Sequence, residues 1–236
     1  MQQESTHIRK KKPWLSIFTI EFLFVLLLLF ALIVFVYAVR IVFVLKTTTF
    51  DENIFTDVAS YTTPARTAVM NFITFLGKHT LLIPLNLLLI GFFIFRNQKW
   101  FAIRIASLAL SSVALSFSLK AYFQRDRPLL PVLGDAGGYS FPSGHALIGI
   151  VFYGLLIYVI WHEVKQKWLR IFLIIFFILL ILLISFSRVY LRVHYPSDVI
   201  AGLALGFIWL ILSLQIIHRI EKKYIAKRAR NAEKLD

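Results

Sequence analysis

Long apolar blocks without any charge constrain this chain more than any other feature. Residues 22–37 and 171–184 contain no Asp, Glu, Lys or Arg. A helix needs about 20 mainly apolar residues to cross the hydrocarbon core of a bilayer. Over the 236 residues only 16% are charged, whereas a soluble domain has about 25%. The sequence therefore excludes a soluble globular domain and a disordered chain, and it indicates a membrane protein.

The apolar pattern predicts an all-α fold, a polytopic membrane bundle of about six helices. The predicted spans are residues 17–44, 79–95, 100–123, 143–161, 168–188 and 196–217. A chain of this length has room for about five to seven spans. We expect residues 1–236 to form a single integral-membrane domain, with a basic N-terminus at 1–16 and a basic tail at 218–236. The first block is longer than the apolar region of a signal peptide, which predicts that it is kept as an anchor.

Segment 46–78 joins the first two predicted spans and mixes apolar and charged residues. Thr63-Pro64 has the pattern of a helix start, which predicts a short helix after it. One or two helices lying in the outer membrane interface would suit this composition. Two roles stay open for the segment, a simple connection and a gate for lipid.

The net charge of +14 follows mainly from topology. Six spans place both termini on one side, and most of the 26 Lys and Arg residues fall on that side of the predicted bundle. The positive-inside rule then predicts cytoplasmic termini. In a soluble chain this charge would suggest nucleic acid, but basic residues that flank spans attract anionic lipid instead. We therefore expect membrane lipids and no nucleic acid as partners. The chain has no cysteine, which excludes disulfides and thiolate metal sites.

Three short segments on the predicted outer side carry polar residues that topology does not require. The first runs from Lys120 to Pro128. Its spacing puts Lys120 and Arg127 on one helical face if the helix extends that far. The pair has no matching carboxylate except Asp126 and suits a dianionic ligand, although a snorkelling pair at a helix end is the simpler explanation of this segment alone.

The second segment is Phe141-Pro142-Ser143-Gly144-His145, at the start of the fourth predicted span. Ser143 is predicted to cap this helix with its side chain. The free N–H groups of Gly144 and His145 would then form an anion site, because the helix dipole favours negative charge there. An ordinary cap beside a chance histidine is the simpler explanation of this segment alone.

The third segment begins at Ser187-Arg188 and ends at His194-x-x-x-Asp198. Pro196 predicts the start of the sixth span, which puts Asp198 in its first turn, about one turn from His194. A carboxylate that holds one imidazole nitrogen raises the basicity of the other, as nucleophile or base activation requires. Alone, the pair is more often a structural hydrogen bond.

The direction of the predicted helices brings the three segments to one side of the membrane. Two histidines, a carboxylate, three cations and a helix N-terminus in one small region predict a site for phosphoryl transfer. In order along the chain, the segments are Lys-x6-Arg-Pro, Pro-Ser-Gly-His and Ser-Arg-x5-His-x3-Asp. This set resembles the signature of the type 2 phosphatidic acid phosphatase superfamily, which includes bacterial membrane lipid phosphatases, glucose-6-phosphatase and soluble vanadium haloperoxidases. The resemblance covers residues 120–198 directly.

The resemblance implies a mechanism and a set of site residues. It implies that His194 attacks phosphorus, that Asp198 orients it, and that His145 protonates the leaving oxygen. The residues it implies for phosphate binding are Lys120, Arg127, Arg188, Ser143 and Gly144. It implies a lipid phosphate as substrate and no metal or other cofactor.

The predicted outer position of the site favours a lipid of the outer leaflet, such as undecaprenyl diphosphate. Phosphatidylglycerophosphate, phosphatidic acid and the phosphates of lipid A stay open, as does the oligomeric state. We expect a bacterial cytoplasmic membrane. Two other classes are less favoured: an anion or lipid transporter, which would not need the paired histidines, and a haloperoxidase, against which the six spans argue.

Overall fold

The computed structural model describes residues 13–129, 132–134 and 137–233, and these contain no strand. Its helices are α1 (Pro13–Val39), α2 (Thr49–Ser60), α3 (Pro64–Phe75), α4 (His79–Phe95), α5 (Lys99–Phe123), α6 (Gly144–Glu163), α7 (Lys167–Tyr190) and α8 (Pro196–Ala232). A π-helical turn, Arg40–Leu45, continues α1. Parts of the predicted N-terminus (1–12) and of the tail (234–236) lie outside the described residues.

Six helical stretches among the described residues are long and apolar enough to cross a membrane. They are Phe22–Leu45, Pro64–Phe95, Lys99–Phe123, Gly144–Glu163, Lys167–Tyr190 and Pro196–Ala232. The predicted all-α bundle of six spans is therefore confirmed. Two boundaries differ from prediction: the second stretch includes α3 as well as α4, and α8 continues from the last span into the basic tail as far as Ala232.

Two glycines let α8 lie directly on α6. A Cβ atom built on Gly202 would lie 2.7 Å from the carbonyl oxygen of Ser143, and one built on Gly206 would lie 2.7 Å from that of Leu147. Small residues four apart are a common means of close helix packing in membranes. As a result the N-terminal ends of the two helices meet, and the Ser143 N–H donates to the Asp198 carbonyl at 3.0 Å.

Helices α2 and α3 pack against the ends of α7 and α8 that carry the motifs. The Thr63 side chain accepts a hydrogen bond from the Arg66 N–H at 3.3 Å, so the predicted helix start at Thr63-Pro64 is correct. The Tyr153 hydroxyl of α6 donates to the Leu76 carbonyl at 2.7 Å. These contacts fix the segment between the first two predicted spans against the motif-bearing end of the bundle.

At the opposite end of α5, a buried ion pair ties the bundle to the tail. Arg104 is 4% exposed and its guanidinium pairs with Glu221 of α8. The same guanidinium lies 5.5 Å from the ring centre of Phe101 and 5.8 Å from that of Tyr158. The basic end of α8 is therefore held to α5.

Candidate active site

The three motif segments surround one cavity of about 1100 Å³. Six of the predicted site residues line it, namely Lys120, Arg127, Gly144, His145, Arg188 and His194. The other two, Ser143 and Asp198, are fully buried beside it. The turn between α3 and α4 supplies the facing wall, with Lys78 and His79 among the lining residues.

The first two cations reach the cavity from different structural elements. Helix α5 ends at Phe123, and Gln124 adopts a left-handed conformation (φ 46°). Because the helix stops before Arg127, Lys120 and Arg127 do not share a helical face, which the spacing predicted only for a helix that extended that far. The loop that follows brings Arg127 back, and its guanidinium donates to the carbonyls of Gly137 (2.6 Å) and Gly138 (2.9 Å). Burial lowers the pKa of Arg127, and the Asp198 charge opposes this effect.

Helix α3 holds the third cation. Arg188 is 4% exposed, and its guanidinium donates to the Thr74 hydroxyl at 2.6 Å. Thr74 was not predicted as a site residue, since it lies far from Arg188 in sequence and no local motif marks it. The same wall reaches the first histidine, because a Cβ built on Gly77 would lie 3.1 Å from His145 Cδ2.

Ser143 stands at the N-cap position of α6, but its side chain makes no capping hydrogen bond. The predicted side-chain cap is therefore wrong. The hydroxyl oxygen is buried and has no hydrogen-bond partner among the residues the structure describes. Because an unsatisfied buried hydroxyl costs about 1–3 kcal/mol, this group is suited to a polar ligand. Gly144 lets the helix start pack closely on α5, since a Cβ there would lie 3.3 Å from the Ser116 hydroxyl oxygen.

His194, in the turn between α7 and α8, lies beside Asp198 in the first turn of α8. His194 Nδ1 is 3.5 Å from Asp198 Oδ2 and 3.2 Å from the hydroxyl oxygen of Ser140. The Ser140 hydroxyl in turn donates to Asp198 Oδ2. Since Nδ1 faces these groups, Nε2 is the nitrogen left for the cavity. Ser140 was not predicted, because nothing in its spacing links it to the histidine.

The surroundings of His194 keep its imidazole neutral. Burial lowers the pKa of His194 to about 4; the hydrogen bond and charge of Asp198 raise it, and the charges of Lys120 and Arg127 lower it. The ring is therefore neutral at neutral pH and becomes protonated only as the pH falls through about 4. A neutral imidazole has the lone pair that nucleophilic attack requires.

Two further unpredicted residues, Arg125 and Asp51, stand behind the histidine. The Arg125 guanidinium donates to Asp198 Oδ1 at 2.5 Å and to Asp51 Oδ2 at 2.9 Å. Asp51, on α2, is 1% exposed and accepts from the Ser197 N–H at 2.8 Å. In the sequence, Arg125 is one of the cations on the predicted outer side and Asp51 is an acidic residue of segment 46–78. No sequence pattern indicates that the two residues pair.

Comparison with known proteins identifies the family of this chain. Residues 100–222 match the profile of the PAP2 superfamily. Phosphatidylglycerophosphatase B of Bacillus subtilis is 30% identical over 146 residues, which cover 61% of this chain and 71% of that protein. Putative undecaprenyl-diphosphatase YbjG of Escherichia coli is 34% identical over 125 residues, 51% of this chain and 58% of that protein.

A solved structure extends the likeness to the whole bundle. The crystal structure of a transmembrane PAP2 type phosphatidylglycerolphosphate phosphatase from Bacillus subtilis superposes with a TM-score of 0.73 at 26% identity. The match covers 83% of this chain and 96% of that one. Fold, site and relatives together define an integral-membrane lipid phosphate hydrolase, and so an enzyme rather than the transporter also considered above. The chain belongs to the PAP2 superfamily.

Proposed function

We propose that this protein hydrolyses a membrane lipid phosphate or diphosphate through a phosphohistidine on His194, without a metal ion. The observation that carries the proposal is the cavity itself, in which the predicted histidines and cations stand together: His145, His194, Lys120, Arg127 and Arg188. Cationic side chains there can take the role that magnesium has in kinases. The neutral imidazole of His194 supports its role as the nucleophile.

In the first step His194 Nε2 attacks phosphorus, forming an N–P bond as the bond from phosphorus to the leaving oxygen breaks. His145 donates a proton to that oxygen. Asp198 and Ser140 hold Nδ1–H and stabilise the positive charge that the attacking ring acquires. The charges of Lys120, Arg127 and Arg188 stabilise the phosphoryl oxygens in the transition state. The buried Ser143 hydroxyl and the Gly144 N–H add hydrogen bonds to the same oxygens.

In the second step water attacks the phosphohistidine. His145, now deprotonated, accepts a proton from the water, the N–P bond breaks, and inorganic phosphate leaves. His194 is thereby regenerated as a neutral imidazole. A single histidine thus acts as acid and then as base, as microscopic reversibility allows.

Among substrates we favour a lipid diphosphate such as undecaprenyl diphosphate over phosphatidylglycerophosphate, phosphatidic acid or lipid A. The leaving group of a diphosphate is itself a phosphate and needs cationic neighbours beside the proton donor. Lys78 and His79 line the cavity on the wall that contacts His145, and they suit this second phosphate. The YbjG relative, named a putative undecaprenyl-diphosphatase, supports the same choice.

A phosphate-release assay of the purified protein tests both the reaction and the substrate. With EDTA in excess, we expect turnover of lipid phosphates and inhibition by orthovanadate, with the diphosphate faster than a monophosphate of the same tail. Lys78→Met should reduce the ratio of the diphosphate rate to the monophosphate rate to a few-fold or less, and it should leave the monophosphate rate nearly unchanged. Strict metal dependence, or equal rates for both substrates in the wild-type protein, would contradict the corresponding part of the proposal.

We also propose that the site faces the outside of a bacterial cytoplasmic membrane. The basic residues at the opposite end of the bundle support this orientation; they include Arg96, Lys99, Lys165, Lys167, Arg170 and the basic turns of α8. The chain has no cysteine, so Gly137→Cys introduces a single thiol at the cavity. We expect a membrane-impermeant maleimide to label it in intact cells. Labelling only in inside-out vesicles would show that the site faces the cytoplasm instead.

A further inference from the structure

A buried chain of charges connects the outer helix α2 to the proposed nucleophile. It runs from Asp51 through Arg125 to Asp198 and ends at His194. We propose that Arg125 and Asp51 are positioning residues that hold the Asp198 carboxylate, and through it His194, in the reactive geometry. This inference rests on the proposed role of His194 as nucleophile.

The contacts of Asp198 divide its two oxygens between two tasks. Oδ1 accepts from Arg125 at 2.5 Å. Oδ2 accepts from the Tyr195 N–H at 3.0 Å and from the Ser140 hydroxyl, and it faces His194 Nδ1. Since Arg125 occupies Oδ1, rotation of the carboxylate would break an ion pair. The guanidinium therefore keeps Oδ2 directed at the histidine.

The second carboxylate explains how an arginine can stand there without cancelling the charge of Asp198. Arg125 paired with Asp198 alone is neutral, and a neutral pair stabilises an imidazolium poorly. Asp51 shares the guanidinium and restores one net negative charge to the group. Charges separated from water interact more strongly than exposed ones, and Asp51 and Asp198 are both almost fully buried.

The pair is fixed on the start of α8 from two directions. Asp51 accepts from both the N–H (2.8 Å) and the hydroxyl (2.7 Å) of Ser197, the residue before Asp198. The guanidinium of Arg125 lies 3.9 Å from the centre of the Tyr195 ring and donates to the Ser197 hydroxyl at 2.8 Å. These contacts hold the guanidinium in one place, as precise orientation of a carboxylate requires.

Arg125 differs in position from the three cations assigned to the transferred phosphoryl group. Lys120, Arg127 and Arg188 line the cavity, whereas Arg125 is not among the lining residues of the described chain. Its charge acts on the Asp198 carboxylate from behind. Loss of Arg125 should therefore slow the chemical step and leave the binding of phosphate almost intact, because phosphate binding depends on the other cations.

The test compares Arg125→Gln and Asp51→Asn with the wild-type protein. We expect kcat to fall by about 10²-fold, the scale on which a small misplacement of a reacting group acts. The inhibition constant of inorganic phosphate should change by less than about threefold, because the phosphate-binding cations remain. Arg125→Lys should recover part of kcat. The double variant should be no slower than the slower single variant, because two residues acting as one unit are not additive.

Arg104→Gln is the matched control. Like Arg125→Gln, it removes an ion pair and a ring contact of an arginine, but Arg104 lies near the other end of α5. It should lower the melting temperature and leave kcat near the wild-type value. If Arg125→Gln retains wild-type kcat, or if kcat and phosphate binding fall together, the positioning role is refuted. Absence of His194-dependent turnover in the wild-type protein would refute the proposed function instead, so the two failures are distinguishable. Should Arg125→Gln fail to fold, Asp51→Asn and Arg125→Lys decide the matter by the same measurements.

Discussion

His194→Gln is expected to reduce phosphate release by at least about 10⁴-fold, the scale on which removal of a nucleophile lowers turnover. The reason is chemical, since glutamine offers no lone pair that can form the N–P bond. The side chain is 2% exposed, and glutamine is close enough in size to leave the surrounding packing in place. Phosphate release from the lipid substrate, measured with EDTA present, gives the rate.

Trapping of the phosphohistidine tests whether the lost turnover is due to loss of the nucleophile. Wild-type protein quenched during turnover should carry phosphate that is labile in acid and stable in base, and His194→Gln should carry none. His162→Gln is the control, because His162 lies at the other end of α6, where its Nδ1 contacts the Tyr158 carbonyl at 2.8 Å. The mechanism is wrong if His194→Gln retains near wild-type turnover or still yields acid-labile phosphate.

His145→Gln is expected to slow release from an alkyl or polyprenyl substrate by about 10²- to 10⁴-fold, the usual contribution of general acid catalysis. A substrate with a good leaving group, such as p-nitrophenyl phosphate, needs no proton from His145 in the first step. With that substrate the variant should release one equivalent of p-nitrophenol rapidly and then turn over slowly, because His145 is also the base for hydrolysis. A stopped-flow trace measures both phases.

The leaving-group dependence separates this role from simple phosphate binding. If His145 only held the phosphoryl group, both substrates would slow by the same factor and no burst would appear. His79→Gln serves as the comparison, since His79 lines the same cavity without being assigned a role in proton transfer. It should preserve the rate with p-nitrophenyl phosphate. Equal slowing of both substrates by His145→Gln would contradict the acid–base assignment.

The sequence predicted the bundle well because spans and motif order are local properties. Twenty apolar residues make a span wherever they stand, and Pro196 marks a helix start without help from the rest of the chain. The Thr63-Pro64 start was correct for the same reason. The end of α5 at Phe123 also matches the predicted span 100–123. Predictions about individual side chains were less reliable, since the Ser143 hydroxyl makes no cap.

The residues that sequence reasoning missed are those whose partners are far away along the chain. Asp51 meets Ser197, and Thr74 meets Arg188, only after α2 and α3 pack on the bundle. A periodic pattern describes neighbours on one helix and is silent about such contacts. Arg125 illustrates the difficulty most clearly, since it stands between Lys120 and Arg127 in sequence yet faces a different group.

The contact between α6 and α8 at Gly202 has a consequence for how the enzyme treats its substrates. His145 is in the first turn of α6, and His194 lies two residues before the start of α8, so the separation of the two rings depends on where these helices cross. Backbone contact at a crossing leaves no side chain that can adjust when a different lipid arrives. We therefore expect the two histidines to keep a fixed separation that fits the phosphoryl group alone. Discrimination between lipids then depends on the side chains that form the rest of the cavity wall.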